Sequence, residues 1–118
     1  MTQLITRAEL SAAIAAGEVT VVDALGGSYY EQQHLPGAVA LVEADVHARA
    51  AELLPDRAAA IVTYCSNEAC PNSERVATAL TGLGYTNVRK YREGIQDWVA
   101  AGLPVESALP VESALPVR

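Results

Sequence analysis

The sequence predicts an α/β domain in which a mainly parallel central sheet is flanked by helices. Short runs rich in valine and isoleucine, which are typical of buried strands, alternate with longer segments whose apolar residues recur at helical spacing. The chain has 118 residues and 51% of them are hydrophobic, so it is long enough to form one domain with its own core.

The first half of the chain is expected to hold a helix, a strand, a helical turn, a second strand and a second helix. Thr6 and Glu9 have the spacing of a capping box, and Gly17 is a natural helix stop. Pro55 ends the last of these segments because proline cannot continue a helix. The predicted bounds are, in that order, 6–16, 19–24, 29–33, 39–42 and 43–54.

The second half repeats the alternation of strand and helix. The predicted bounds are 60–64 for a strand, 73–83 for a helix that stops at Gly84, 87–91 for a strand and 94–102 for a short helix. Sites in such folds lie in loops at the carboxyl ends of parallel strands. Asp23 and Cys65 both fall at such ends, which makes this edge of the sheet the expected functional site.

The C-terminal segment differs from the rest of the chain. The six residues Val-Glu-Ser-Ala-Leu-Pro occur twice, at 105–110 and 111–116. Two copies are too few for a solenoid, and a proline every six residues prevents a regular helix. We therefore expect the domain to span 1–105 and residues 106–118 to form an extended or flexible tail.

Composition and charge exclude several classes of function. The net charge of −6 disfavours binding to nucleic acid or to anionic membranes. No run approaches the ~20 apolar residues of a membrane span, and the N-terminus lacks the pattern of a signal peptide, so a cytoplasmic protein is expected. Two cysteines make neither a disulfide framework nor a zinc site, and no cofactor or metal is expected.

Cys65 follows a β-branched strand and precedes a short polar loop that leads into a helix. Loop amides and a helix start direct positive charge at one point, which favours a thiolate or a bound anion. The alternative is that Cys65 only fills the core, since cysteine is among the most frequently buried residues. The remaining motifs favour a chemical role for Cys65 over a purely structural one.

Several motifs occur in a fixed order along the chain. They are Val-Val-Asp at 21–23, Tyr-Glu at 30–31 with His-Leu-Pro-Gly-Ala at 34–38, Val-Thr-Tyr-Cys at 62–65, Leu-Gly-Tyr-Thr-Asn-Val at 83–88, and the segment 94–105 beginning Gly-Ile-Gln-Asp-Trp. In this order they resemble the single-domain rhodanese-like family of sulfurtransferases, over nearly all of residues 5–105.

The resemblance implies a three-layer domain with a five-stranded sheet and a catalytic cysteine at position 65. The Cys65 thiolate would take the outer sulfur of a donor such as thiosulfate, become a persulfide, and pass the sulfur to cyanide, to a thiol or to a sulfur-relay protein. This ping-pong scheme needs a lowered thiol pKa and amides that hold the persulfide. The expected persulfide-binding loop comprises Ser66, Asn67, Glu68, Ala69 and Cys70.

The chain departs from the family pattern around this loop. No arginine or lysine lies between Cys65 and Pro71, and Glu68 adds a negative charge. Arg75 is the nearest cation in sequence and either steers an anion toward the loop or is a solvated surface residue. Asp23 either hydrogen-bonds the loop and holds its shape or is a general base, and for the second role it lacks an obvious proton to take.

The sequence leaves the role of Cys70 and two alternative functions undecided. Cys70 either fills space or is a resolving thiol that attacks an oxidised or persulfidated Cys65; placed at the N-cap of the next helix, its sulfur would lie near the same amides. The missing loop arginine favours a non-catalytic or redox-sensing module that uses Cys65 and Cys70. A phosphatase or arsenate reductase fits the long loop but lacks the arginine that clamps the oxyanion.

Overall fold

The structure, a computed structural model, describes residues 2–107 and contains a five-stranded sheet in the order β1-β5-β4-β2-β3. All four strand pairings are parallel, which confirms the predicted fold class. The strands are β1 Gln3–Leu4, β2 Thr20–Asp23, β3 Val39–Ala40, β4 Ile61–Tyr64 and β5 Val88–Tyr91. The helices are α1 Arg7–Ala16, α2 Gly27–Gln32, α3 Val46–Leu53, α4 Asn72–Gly82 and α5 Gly94–Ala100, with a 3₁₀ turn at Glu43–Asp45. None of the helices described between residues 2 and 107 is long and apolar enough to cross a membrane.

The α1 helix begins as the sequence predicts. Thr6 accepts a hydrogen bond from the backbone N–H of Glu9, and the Glu9 side chain accepts one from the backbone N–H of Thr6. This capping box satisfies two otherwise free backbone donors. At the other end Gly17 takes a left-handed conformation with φ of 70°, which glycine adopts without strain.

Three elements differ from the predictions. The edge strand β1 is missed because it has only two residues, both exposed, and shows no alternation. The strand predicted for 39–42 keeps only its first two residues because Val42 already leads into the 3₁₀ turn. The helix predicted for 43–54 splits into that turn and α3.

The sheet separates two apolar clusters, which gives the domain its three layers. Alternate residues of each strand face opposite sides, so Val22 and Cys65 pack with α3 and α4 while Val21 and Tyr64 pack with α1 and α5. The largest fully buried side chains include Trp98, Tyr64, Tyr91, Leu10 and Leu80. Cys65 is therefore fixed by the same alternation that builds the core.

The ordered domain extends two residues beyond the predicted boundary at 105. Glu106 forms an antiparallel bridge with His34, with N···O distances of 2.9 and 2.8 Å, and its carboxylate accepts a hydrogen bond from the backbone N–H of Gly37. The hydroxyl of Ser107 donates to the carbonyl of Glu31. Residues 106 and 107 of the predicted tail thus contact the domain, and its remainder, 108–118, lies outside the described residues.

We expect the Glu74→Gln variant to lose stability at neutral pH and to match the parent protein in acid. A hydrogen bond from Thr2 and the ion pair with Lys90, at 3.0 Å, lower the pKa of Glu74 below its usual 4.5. A depressed carboxyl pKa stabilises the fold above the unfolded pKa, and this contribution disappears as the pH falls through the folded pKa. The loss at pH 7 should stay below about 1 kcal/mol because Glu74 is 40% exposed and solvent screens the pair.

Urea unfolding of both proteins at pH 7 and pH 3 measures this difference. Glu52→Gln is the control, since Glu52 is 73% exposed and reaches Arg49 only at 3.6 Å. An equal loss at both pH values would show that the carboxylate charge of Glu74 is not the stabilising feature.

Candidate active site

The Cys65 thiol lies directly after β4 and is almost completely buried, with 1% of the residue exposed. Its Sγ is 3.3 Å from the carbonyl oxygen of Cys70 and 3.5 Å from Oγ of Ser73. Burial raises the pKa of Cys65, and donation of the thiol proton to the Cys70 side chain raises it further; hydrogen bonds from Ser73 oppose this only in part. The expectation of a lowered Cys65 pKa is therefore wrong for the resting site.

The pKa of Cys70 shifts in the opposite direction to that of Cys65. Partial burial alone would raise the pKa of Cys70. Hydrogen bonding to Cys65, to the backbone N–H groups of Asn72 and Ser66 and to the Ser66 hydroxyl outweighs burial and lowers it. Pro71 occupies the N-cap of α4, so the prediction of Cys70 as N-cap is wrong by one residue. The surroundings of the loop thus favour ionisation of Cys70 over that of Cys65.

The loop between the two cysteines is folded around Asn67. The Asn67 side chain accepts a hydrogen bond from the N–H of Ala69 at 2.9 Å, and its backbone carbonyl accepts one from the N–H of Cys70 at 3.2 Å. Two of the amides expected to hold a persulfide are therefore engaged, and Glu68 and Ala69 are exposed. Within residues 2–107, the backbone N–H groups of Asn67 and Glu68 have no hydrogen-bond acceptor.

The start of α5 braces the cysteine loop from the other side. The backbone N–H of Ile95 donates to the carbonyl of Cys65 at 2.9 Å, and that of Gln96 donates to the carbonyl of Ser66 at 3.0 Å. Gly94 has φ of +79°, and a Cβ added there would lie 2.5 Å from the carbonyl carbon and oxygen of Ser66. Sequence reasoning included Gly94 in a family motif without finding this contact, although a glycine at a helix start was the available signal.

Asp23 holds the neighbouring loop, between β2 and α2. It is fully buried; one carboxylate oxygen accepts from the backbone N–H groups of Leu25 and Gly26 at 2.7 and 3.0 Å, and the other accepts from the Tyr64 hydroxyl at 2.6 Å. Burial first and the Asp23 carboxylate second raise the pKa of Tyr64 far above its usual value. The Tyr64 oxygen in turn accepts from the N–H of Leu35. Asp23 therefore anchors the residue before Cys65 without contacting the cysteine loop through its own side chain.

Arg75 does not reach the site. It is exposed on α4, and its side chain forms no hydrogen bond or ion pair with the loop in the part of the chain that the structure describes. The expectation that Arg75 supports the loop is not met. Nor do residues 2–107 bring three or more His, Cys, Asp or Glu side chains together as metal ligands.

Two cavities adjoin the cysteine loop and differ in charge. A pocket of about 140 Å³ has Ser66, Leu25 and Tyr29 in its wall together with glutamines, and no charged side chain lines it. A wider groove of about 510 Å³ on the outer face of the loop includes the carboxylates of Glu68, Glu93 and Asp97. An anion would approach the loop more favourably through the neutral pocket, because the carboxylates of the groove would repel it.

The fold and the cysteine loop together define a rhodanese-like protein, and comparison with known proteins agrees. The model of the family described as "Rhodanese-like domain" matches residues 6–101, so the chain belongs to this family. The HTH-type transcriptional regulator Rv0324 of Mycobacterium tuberculosis is 39% identical over 105 residues, which are 86% of this chain and 44% of the regulator. The chain thus spans less than half the length of that curated relative.

Solved structures show the same fold. The BH2092 protein from Bacillus halodurans superposes with a TM-score of 0.82 at 26% identity, covering 94% of this chain and 81% of that one. The rhodanese-like domain of the Anabaena sp. Alr3790 protein has a TM-score of 0.76 at 24% identity, covering 100% and 87%. The thiosulfate sulfurtransferase from Pseudomonas aeruginosa has a TM-score of 0.75 at 24% identity, covering 92% of this chain and 21% of the enzyme.

Ser73 is a site residue that sequence reasoning missed. It is buried, its hydroxyl faces the Cys65 sulfur, and its carbonyl accepts a hydrogen bond from Thr63 that fixes the first turn of α4. We expect Ser73→Ala to raise the pKa of Cys65 and to slow its alkylation at pH 7 by about 3- to 10-fold, because one hydrogen bond to the thiolate is lost. Iodoacetamide labelling followed by peptide mapping measures this rate.

The control for this prediction is Thr78→Ala, which removes an exposed hydroxyl from the same helix. An unchanged Cys65 labelling rate in Ser73→Ala, with the fold intact, would show that the hydroxyl does not assist the thiolate.

Proposed function

We propose that the chain is a sulfurtransferase that moves a sulfane sulfur from a small donor such as thiosulfate to a nucleophilic acceptor through a persulfide on Cys65. The observation that carries this proposal is the Cys65 thiol itself, which lies at the carboxyl end of β4. The N–H of Ile95 holds its carbonyl, and its sulfur faces Ser73 and Cys70. A nucleophile whose backbone is held in place at the end of a buried strand is an arrangement that suits covalent catalysis.

The reaction proceeds in two transfers. The Cys65 thiolate attacks the outer sulfur of thiosulfate, the sulfur–sulfur bond of the donor breaks, and sulfite leaves with the bonding electrons. Cyanide or a thiolate then attacks the outer sulfur of the persulfide and releases the Cys65 thiolate again. The expected partners in this reaction are small sulfur donors and acceptors, or a sulfur-relay protein that reacts through an exposed cysteine.

The charges around the site bear on the choice of donor. The neutral pocket offers amide and hydroxyl groups but no cation, so thiosulfate binding depends on hydrogen bonds and on the dipole of α4. We propose that the physiological donor carries less negative charge than thiosulfate. A reducing compartment such as the cytoplasm suits a site that contains two free cysteines.

Thiocyanate formation from thiosulfate and cyanide tests the proposal. With cyanide in excess to intercept the persulfide and a dithiol to keep both cysteines reduced, the parent protein should turn over. Cys65→Ser should lose at least about 10³-fold in rate because the covalent step is gone. His47→Ala, on the exposed face of α3, is the control and should keep the parent rate. Equal activity in the parent protein and Cys65→Ser would contradict the proposal.

A second candidate function is a redox- or persulfide-sensing module. It is favoured by the closeness of two free cysteines, with the Cys65 sulfur 3.3 Å from the carbonyl oxygen of Cys70, and by the name of the M. tuberculosis relative, a transcriptional regulator. A sensor would load sulfur or oxidise once without turning over with cyanide. A phosphatase or arsenate reductase is not supported, because the loop holds no arginine that could clamp an oxyanion. Hydrolysis of an aryl phosphate by the protein would be evidence for this alternative.

A further inference from the structure

The two cysteines of the site lie close together and differ in exposure. Cys65 is buried, and its Sγ donates a hydrogen bond to the carbonyl oxygen of Cys70 at 3.3 Å. Cys70 is only partly buried, and both cysteines are free thiols. The second thiol thus adjoins the first and is open to solvent.

We propose that Cys70 is a second catalytic thiol, which expels the transferred sulfur as hydrosulfide by forming a Cys65–Cys70 disulfide. This inference rests on the proposed function and specifies the acceptor: it is internal, and an external dithiol is the reductant that reopens the disulfide. The net reaction consumes a sulfane donor and a dithiol.

The first step transfers a sulfur atom. The Cys65 thiol loses its proton to solvent, and its thiolate attacks the outer sulfur of the donor, so that sulfite leaves with the electron pair of the broken bond. Cys65 now carries a persulfide anion and Cys70 is a thiol.

The second step closes the disulfide and balances without an external proton. The Cys70 proton moves to the outer sulfur of the persulfide, the Cys70 thiolate attacks Sγ of Cys65, and hydrosulfide leaves. The sulfur released is reduced to sulfide, while the two cysteines are oxidised by two electrons. A dithiol then attacks the disulfide by thiol–disulfide exchange and is itself oxidised to a disulfide, which restores both thiols.

The loop geometry favours formation of the Cys65–Cys70 disulfide over transfer of the persulfide sulfur to an external acceptor. The turn at Asn67, closed by the Cys70 N–H at 3.2 Å, brings Cys70 back toward Cys65. The residues at the tip, Glu68 and Ala69, are exposed and can shift while the two sulfurs approach the ~2.05 Å of a disulfide. No arginine or lysine lies between Cys65 and Pro71 to form an ion pair with the persulfide anion, so such a pair does not compete with the reaction at Cys70.

A single-turnover experiment without reductant tests this inference. The reduced parent protein, Cys70→Ser and Cys65→Ser are each mixed with one equivalent of thiosulfate and the mixture is divided. One portion is assayed for sulfide directly, and the other is quenched with N-ethylmaleimide for intact mass and peptide mapping. The parent protein should lose two hydrogens as a Cys65–Cys70 disulfide and release one sulfide per chain. Cys70→Ser should keep one added sulfur on Cys65 and release no sulfide, and Cys65→Ser should do neither.

The outcomes separate this inference from the proposed function. A stable persulfide on Cys65 of the parent protein, with Cys70 free and no sulfide, overturns the role of Cys70 and leaves sulfur transfer intact. No sulfur on Cys65 and no sulfide from any of the three proteins overturns both. Because the parent protein alone distinguishes a disulfide from a persulfide, the result does not depend on the folding of Cys70→Ser.

Discussion

Gly94→Ala is expected to lose at least about 10²-fold in sulfur transfer, although position 94 carries no functional group. An alanine there would place its Cβ 2.5 Å from the carbonyl of Ser66 and 2.7 Å from the backbone N of Asn67. These are backbone atoms, so the cysteine loop and α5 must separate. The separation breaks the hydrogen bonds that Ile95 and Gln96 donate to the loop, and a displacement of about 1 Å at a catalytic centre costs on the order of 10²-fold in rate.

Gly102→Ala is a matched control for this prediction. Gly102 has φ of +78°, almost the same as Gly94 at +79°, but a Cβ at position 102 would meet nothing within 4 Å. Both variants therefore carry the strain of about 1–2 kcal/mol that a left-handed alanine causes, and only Gly94→Ala displaces the loop. Thiocyanate formation and urea unfolding of both variants separate the two effects. Equal rates would show that contact with the loop does not matter for catalysis.

Asp23→Ala is expected to lower the free energy of unfolding by about 3–5 kcal/mol. The fully buried carboxylate satisfies the N–H groups of Leu25 and Gly26 and the hydroxyl of Tyr64, and each buried donor left unpaired costs about 1–3 kcal/mol. The reference is Tyr64→Phe, which leaves two N–H groups of the loop paired and should lose only about 1–3 kcal/mol. Urea unfolding at pH 7 measures both.

The double variant completes the test of this network. Since Asp23 and Tyr64 share a hydrogen bond, the loss in the double variant should be smaller than the sum of the two single losses. Strict additivity, or a loss of less than about 1 kcal/mol in Asp23→Ala, would show that the network does not hold the β2–α2 loop.

The fold could be predicted because the strands with buried faces carry a strong pattern. β2 and β4 are β-branched runs between helical segments with good stop signals at Gly17, Pro55 and Gly84, and alternation of this kind leads to a parallel sheet. β1 could not be predicted, because two exposed residues that pair at the edge of a sheet leave no periodic signal. The bridge between Glu106 and His34 could not be predicted either, because it is a backbone pairing between residues far apart in the sequence.

The site could be located from the sequence but its electrostatics could not. A cysteine after a buried strand and before a helix indicated where chemistry would occur. Which of the two thiols ionises more readily depends on the turn at Asn67 and on the start of the helix at Asn72, one residue later than predicted for Cys70 to be its N-cap. Arg75 failed as a candidate because nearness in sequence does not decide which face of a helix a side chain occupies.

The measurement that tests sulfur transfer most directly is a peptide map of the protein after incubation with excess thiosulfate, with Cys70 replaced by serine so that a persulfide can persist. Our interpretation predicts one added sulfur atom on the peptide that contains Cys65, removed by cyanide with formation of thiocyanate. An unmodified Cys65 peptide, in a protein that remains folded and whose Cys65 still reacts with iodoacetamide, would contradict it.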